Sequence, residues 1–184
     1  MSRPLFSCIL SQRTERGARL LPYYEALMST FEDNHYRWRE TFFVLFDSTS
    51  RPTAGAVQQM LKNVNASFEI TELREDEDGA FESVRVIAPN SCAALDVSYL
   101  CGEEVLEQGA ELSEQMQDAS METDFNKVAR LPACDARFDI LHFEEVLDED
   151  DEDVFDPSAM LLVVQALTRL TDGVAVDPQT GVLM

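Results

Sequence analysis

The chain has 184 residues, 45% of them hydrophobic, and carries 35 acidic against 14 basic side chains for a net charge of −21. Seven glycines and seven prolines exclude collagen-like and low-complexity chains, and the longest purely apolar run, 159–164, is far below the roughly 20 residues of a membrane-spanning helix. The apolar stretch at the start is too short for a secretory signal, so we expect one cytoplasmic domain, residues 1–184.

The charge is distributed unevenly along the chain. Residues 1–62 hold eight Arg or Lys and six Asp or Glu, net +2, whereas residues 63–184 hold six and 29, net −23. Nucleic acids and anionic membranes bind proteins through Lys and Arg, so we expect neither as a partner. A basic protein is the expected partner, and only the first third of the chain could face a small anionic ligand.

The N-terminal third is predicted to alternate strand and helix. Apolar residues predict a first strand over 5–11, and helical spacing predicts a helix that begins near Pro22. The aromatic and β-branched run 41–46 is typical of a strand buried on both faces. Ser50 is a candidate N-cap, with Pro52 in the first turn, of a second, amphipathic helix.

The middle of the chain predicts a hairpin and a helix with two distinct faces. Alternating residues between Phe68 and Ala88 flank an acidic turn that ends at Gly79, and a further alternation predicts a strand over 94–100. Residues 102–117 have helical spacing. The inward positions of this helix are Val105, Gly109, Leu112 and Met116, and the outward positions are Glu104, Glu107, Glu111 and Glu114.

The C-terminal part predicts two more helices and a hairpin. A short helix over 124–130 precedes a strand over 138–146, and the acidic residues that follow predict a mobile loop over 147–155. Asp156 and Pro157 begin a helix that is apolar on almost every side and is therefore predicted to be deeply buried. A terminal hairpin is predicted after it.

Together these elements predict an α+β fold, a mixed β-sheet covered by helices. Residues 41–146 are predicted to follow the order βαββαβ of a ferredoxin-like core. An N-terminal βα unit and a C-terminal buried helix with a β-hairpin would extend this core.

A binding site for a small anion is predicted where two strands end. If the strands over 5–11 and 41–46 are parallel neighbours, the loops that follow them meet at one sheet edge. The candidate residues are Arg13, Arg16, Ser48, Ser50 and Arg51. A phosphate or carboxylate would suit them and the nearby helix N-termini. The alternative is that the hydroxyls cap helices and the arginines pair with carboxylates, and no nucleotide-binding glycine motif is present.

Cysteine chemistry is a further alternative. Cys8, Cys92, Cys101 and Cys134 lack CxxC spacing, so we expect reduced thiols. Cys101 precedes a predicted helix, whose dipole could activate it as the nucleophile of a cysteine-dependent hydrolase, with His142 as its base. Glu103 and Glu104 would instead favour the protonated thiol. The two histidines and the acidic run match no metal motif, so neither metal nor cofactor is expected.

With no catalytic motif, the sequence favours an acidic, non-enzymatic cytoplasmic module that recognises a protein partner. The two alternatives are a small-anion sensor or enzyme that uses Arg13, Arg16 and Arg51, and a hydrolase at Cys101.

Overall fold

The computed structural model describes residues 30–31, 33–118, 124–146 and 156–184. Its seven strands form one antiparallel sheet in the order β2-β3-β4-β5-β1-β6-β7. The strands are β1 (Tyr36–Phe46), β2 (Glu69–Glu75), β3 (Phe81–Ala88), β4 (Ala93–Cys101), β5 (Ala136–Glu145), β6 (Val174–Asp177) and β7 (Val182–Leu183). The helices are α1 (Ala54–Val64), α2 (Glu103–Asp118), α3 (Phe125–Arg130) and α4 (Ser158–Thr171).

The α+β class is confirmed. The predicted strand over 5–11, most of the helix after Pro22 and the loop over 147–155 lie outside the described residues.

Strand β1 is buried on both faces, as its continuous apolar run predicts. Phe42, Val44 and Phe46 join one core cluster with residues of α1 and α4, whereas Phe43 and Leu45 join a second cluster with residues of α2 and α3. Because successive side chains of a strand point to opposite faces, the sheet is sandwiched between two helical layers.

The β2–β3 hairpin and strand β4 follow the alternation in the sequence. The Asp76 carboxylate accepts hydrogen bonds from the backbone N–H groups of Asp78 and Ala80, at 3.0 and 2.9 Å, and so shapes the acidic turn. The predicted N-cap of α1 was wrong. Thr53, not Ser50, caps this helix, because its hydroxyl accepts from the N–H of Ala56.

The predicted mixed sheet and ferredoxin-like core are not confirmed. In a ferredoxin-like sheet the first strand lies between the hairpin and the last strand, whereas here β4 pairs directly with β5 and β1 lies beyond β5. The N–H of Gly102 donates to the carbonyl of Asp135 at 2.9 Å, so the α2–α3 excursion begins and ends at the same end of the sheet. Strands joined in this way are antiparallel neighbours, and all pairings among the described strands are antiparallel.

Helix α4 is buried on one side only. Met160, Val163 and Leu167 are fully buried against the sheet, whereas Leu162 and Leu170 keep 43% and 36% of their surface exposed. The predicted deep burial is therefore not confirmed for the outer side of this helix. None of the helices in the described ranges is both long and apolar enough to cross a membrane.

A partly buried cluster of charged and histidine side chains lies at the end of the sheet where β1 begins. Glu144 is paired with Arg37 and Arg39, and the Nδ1 of His142 lies 3.2 Å from the Oε1 of Glu40. The His142 side chain is almost entirely buried. Burial lowers the pKa of His142, and the opposing influence of Glu40 and Glu144 does not cancel this effect.

The neutral state of His142 predicts a pH dependence of stability. An unfolded histidine binds a proton near pH 6.5, whereas folded His142 resists protonation, so stability is lost as the pH falls below about 6.5. We expect the His142→Gln variant to lose less stability than wild type between pH 7 and pH 5, by at most about 1.4 kcal/mol per pH unit. Urea unfolding at pH 7, 6 and 5 measures this difference, and parallel pH profiles of the two proteins would contradict it.

Candidate functional site

The loop after β1 collects several of the predicted site residues at one end of the sheet. It forms a short 3₁₀ turn, Ser48–Ser50, in which the Asp47 carboxylate accepts hydrogen bonds from the N–H and hydroxyl of Thr49. These bonds lower the pKa of Asp47. Ser50 is exposed, and its N–H donates to the carbonyl of Asp47 at 2.8 Å. Local capping therefore accounts for part of the polar sequence of the loop.

Ser48 anchors this loop to the start of β5. Its backbone N–H and its hydroxyl each donate to the Asp135 carboxylate at 2.7 Å. The negative charge of Asp135 thus lies directly against one of the residues predicted to receive an anion.

Arg51 joins the same loop to the β2–β3 hairpin. Its Nη1 donates to Asp76 at 2.8 Å, its Nε and Nη2 donate to the carbonyl of Phe81 at 3.0 and 2.8 Å, and its guanidinium lies 4.1 Å from the centre of the Tyr99 ring. Arg51 therefore pairs with a carboxylate, as the alternative interpretation of the sequence predicts.

The described residues test only one half of the predicted anion site. From Phe43 to Leu45, strand β1 has β5 on one edge and β6 on the other, both antiparallel, so no parallel strand adjoins it there. Arg13 and Arg16 lie outside the described residues. Anion binding at Ser48, Ser50 and Arg51 stays a prediction.

Cys101 lies at this same end of the sheet, beside Tyr99 and far from His142. Burial, and then the adjacent Cys101, raise the pKa of Tyr99. On β5, the residue opposite Cys101 is Ala136, whereas His142 lies opposite Leu95. The six residue steps from Ala136 to His142 span about 20 Å of strand, so His142 cannot serve as the base of Cys101.

The thiols predict an order of alkylation that exposure alone explains. Cys101 is exposed, Cys92 is partly buried and Cys134 is buried. Burial also raises the pKa of Cys134, which lowers its thiolate fraction. Of these three thiols, we expect iodoacetamide to modify Cys101 first and Cys134 last in the native protein, and mass spectrometry of peptides measures the rates. Faster modification of Cys134 than of Cys101 would contradict the structure.

The outer face of α2 is a continuous row of acidic side chains. Val105, Leu112 and Met116 are buried, as predicted. Five glutamates line the opposite side, Glu103, Glu104, Glu107, Glu111 and Glu114, and all five are exposed. None of them forms an ion pair with a described residue.

The sequence did not reveal two largely covered ion pairs on the sheet. Arg137 and Asp139 pair at 2.6 Å within β5, and Arg85 of β3 pairs with Asp96 of β4 at 3.0 Å. The alternation of Arg137 and Asp139 with Phe138 shows that the two charged residues share a face, but periodicity does not say that this face is covered. Among the described residues, no group of three or more His, Cys, Asp and Glu side chains could hold a metal ion.

Comparisons with protein-family models, with curated proteins and with solved structures each found no match for this chain.

Proposed function

We propose that the chain is a non-enzymatic cytoplasmic binding module that recognises a basic protein partner through the outer face of α2. The observation that carries the proposal is the unneutralised row of five exposed glutamates on this helix. The cytoplasmic location is supported by the three free cysteines of the described residues.

The arginines of the described residues are largely engaged within the fold. Six of them are ion-paired: Arg37, Arg39, Arg51, Arg85, Arg130 and Arg137. Internal pairing of the cations leaves the surplus carboxylates of a chain with net charge −21 to face solvent. A basic partner would therefore be attracted from a distance, with rates that fall as salt is added.

The glutamate row costs α2 stability that a purely structural helix would not lose. Like charges three and four residues apart each destabilise a helix by about 0.2–0.5 kcal/mol. Glu103 and Glu104 lie in the first turn, where the helix dipole favours them, and no basic residue occupies the last turn. The exposed glutamates of α2 therefore repel one another without a neutralising partner in the described residues, which supports a role in electrostatic recognition.

A matched pair of variants tests this proposal. The first replaces the four outward glutamates of α2, Glu104, Glu107, Glu111 and Glu114, by glutamine. The control replaces four exposed glutamates of the β2–β3 region, Glu69, Glu75, Glu77 and Glu82, and so changes the net charge equally. Wild type and both variants are immobilised as baits and incubated with a cell lysate at low ionic strength. The lysate proteins that each bait retains are quantified by mass spectrometry.

We expect a set of Lys- and Arg-rich proteins to be retained by wild type and by the control, and to be lost with the α2 variant. For a retained protein, the association rate should fall about 10-fold or more with the α2 variant. If the α2 variant and the control retain the same proteins equally, net charge alone explains binding and the proposal fails.

A further inference from the structure

The two helical layers differ sharply in charge. Helices α1 and α4 contain no Asp or Glu, although the chain carries 35 such residues. Each contains one basic residue in its last turn, Lys62 in α1 and Arg169 in α4. Both are exposed, and neither forms an ion pair with a described residue. The α1/α4 layer therefore presents a cationic helical surface on the face of the sheet opposite α2.

A shallow, open groove of about 520 Å³ lies between these two helices. Its apolar lining comes from Met60 and Val64 of α1 and from Leu162, Ala166 and Leu170 of α4, and its polar lining from Asn63, Gln165 and Arg169. The apolar positions recur at i, i+4 and i+8 in α4 and at i and i+4 in α1. Apolar residues at this spacing form a stripe along each helix, and a third, amphipathic helix can pack its apolar face between two such stripes. The only charged side chain in the lining is the cation of Arg169.

We propose that this groove, named here the α1/α4 groove, binds a short amphipathic helix of a partner protein that carries Asp or Glu beside its apolar face. Its apolar residues would cover Leu162 and Leu170, which are 43% and 36% exposed, and its carboxylates would face Lys62 and Arg169. Removal of exposed leucine surface from water supplies the affinity, and the two cations set the orientation.

Charge complementarity selects this occupant over the others. A basic helix would be repelled by Lys62 and Arg169 and drawn to α2. A second copy of the chain that docked through the same groove would bring the same two cations to the interface, where the like charges would repel one another. The site is independent of the glutamate row, because the two surfaces lie on opposite faces of the sheet.

The test is a selection from a phage-displayed library of random 16-residue peptides against the whole chain. The groove variant is Leu162→Gln with Leu170→Gln, the charge variant is Arg169→Glu, and the control is Leu106→Gln, which removes an equally exposed leucine from α2. Selected peptides are then synthesised, and their dissociation constants for each variant are measured by fluorescence anisotropy.

We expect peptides with apolar residues at helical spacing and with Asp or Glu between them. Their affinity should fall at least about 10-fold with the groove variant and about 5-fold with Arg169→Glu, and should not change with Leu106→Gln. Three results would overturn the proposal: basic peptides that bind equally to the groove variant, a wild-type dimer that the groove variant dissociates, or no peptide that depends on Leu162 and Leu170. Circular dichroism establishes that each variant is folded.

Discussion

Replacing Arg137 by methionine is expected to lower the free energy of unfolding by about 3–5 kcal/mol. The Arg137 and Asp139 side chains are only 13% and 14% exposed, and the Arg137 Nε lies 2.6 Å from the Asp139 Oδ1. Burial raises the pKa of Asp139, and Arg137 opposes that effect. Without the guanidinium, the carboxylate would remain in a desolvated position with its charge uncompensated, which is the costly outcome for a buried ion pair. The Arg137 guanidinium also lies 4.4 Å from the centre of the Phe43 ring, so part of the loss is packing.

Removing both charges separates these contributions. The double variant Arg137→Met with Asp139→Leu should be more stable than Arg137→Met alone, because it leaves no unpaired carboxylate. The matched control is Arg130→Met, which breaks an exposed pair with Asp172 and should cost less than about 1 kcal/mol. Urea unfolding of the three variants measures these differences. An Arg137→Met protein no less stable than Arg130→Met would show that the buried pair does not stabilise the fold.

The pH dependence of stability is an independent measurement on the Arg137→Met variant. A carboxyl whose folded pKa is raised destabilises the protein when ionised, and this penalty disappears as the pH falls through the folded pKa. Loss of Arg137 should raise the pKa of Asp139 further. The stability deficit of Arg137→Met relative to wild type should therefore shrink as the pH is lowered from 7 towards 4, whereas a deficit caused only by lost packing would not change.

Replacing Gly109 by alanine is the second large effect, with an expected loss of about 2–3 kcal/mol. A Cβ atom at this position would lie 2.3 Å from the carbonyl oxygen of Leu131, which is backbone and cannot rotate away. Helix α2 approaches the Leu131–Ala133 turn so closely that only glycine fits. The clash would push the helix that carries the glutamate row away from the sheet.

The Gly55→Ala variant in α1 is the matched control for Gly109→Ala, because we expect it to be more stable than wild type rather than less. A Cβ there meets no atom within 4 Å, so Gly55→Ala should raise the stability by about 0.5–1 kcal/mol through helix propensity alone. Thermal and urea unfolding of the two variants compare the same substitution in two helices. If Gly109→Ala were neutral, the close packing of α2 against Leu131 would be wrong.

The local elements of this protein follow from local sequence. The run 41–46 has no polar alternation, and β1 is buried on both faces. The residues of α2 separate into apolar and acidic sides at helical spacing, and the structure buries the first and exposes the second. The hairpins were predictable because alternating residues flank turns that acidic and glycine residues favour. In each case the pattern that predicts the element lies within the element itself, because side chains recur on one face every 3.6 residues in a helix and every 2 residues in a strand.

The candidate site could be predicted only in part. Ser48, Arg51 and Cys101 do lie at one end of the sheet, but Ser48 contacts Asp135 and Arg51 contacts Tyr99, and both partners are distant in sequence. The alternation of a strand defines which side chains share a face, and it carries no information about the strand that pairs beside it.

The sequence by itself determined the α+β class, most element boundaries and the acidic side of α2, because these depend on side-chain periodicity and on fixed charge. Only the tertiary structure decided that β1 lies beyond β5, that Arg137 and Asp139 form a covered pair, and that α4 leaves leucines exposed beside α1. Those features arise from contacts between residues far apart in the chain, whose free energies depend on which surfaces exclude water together.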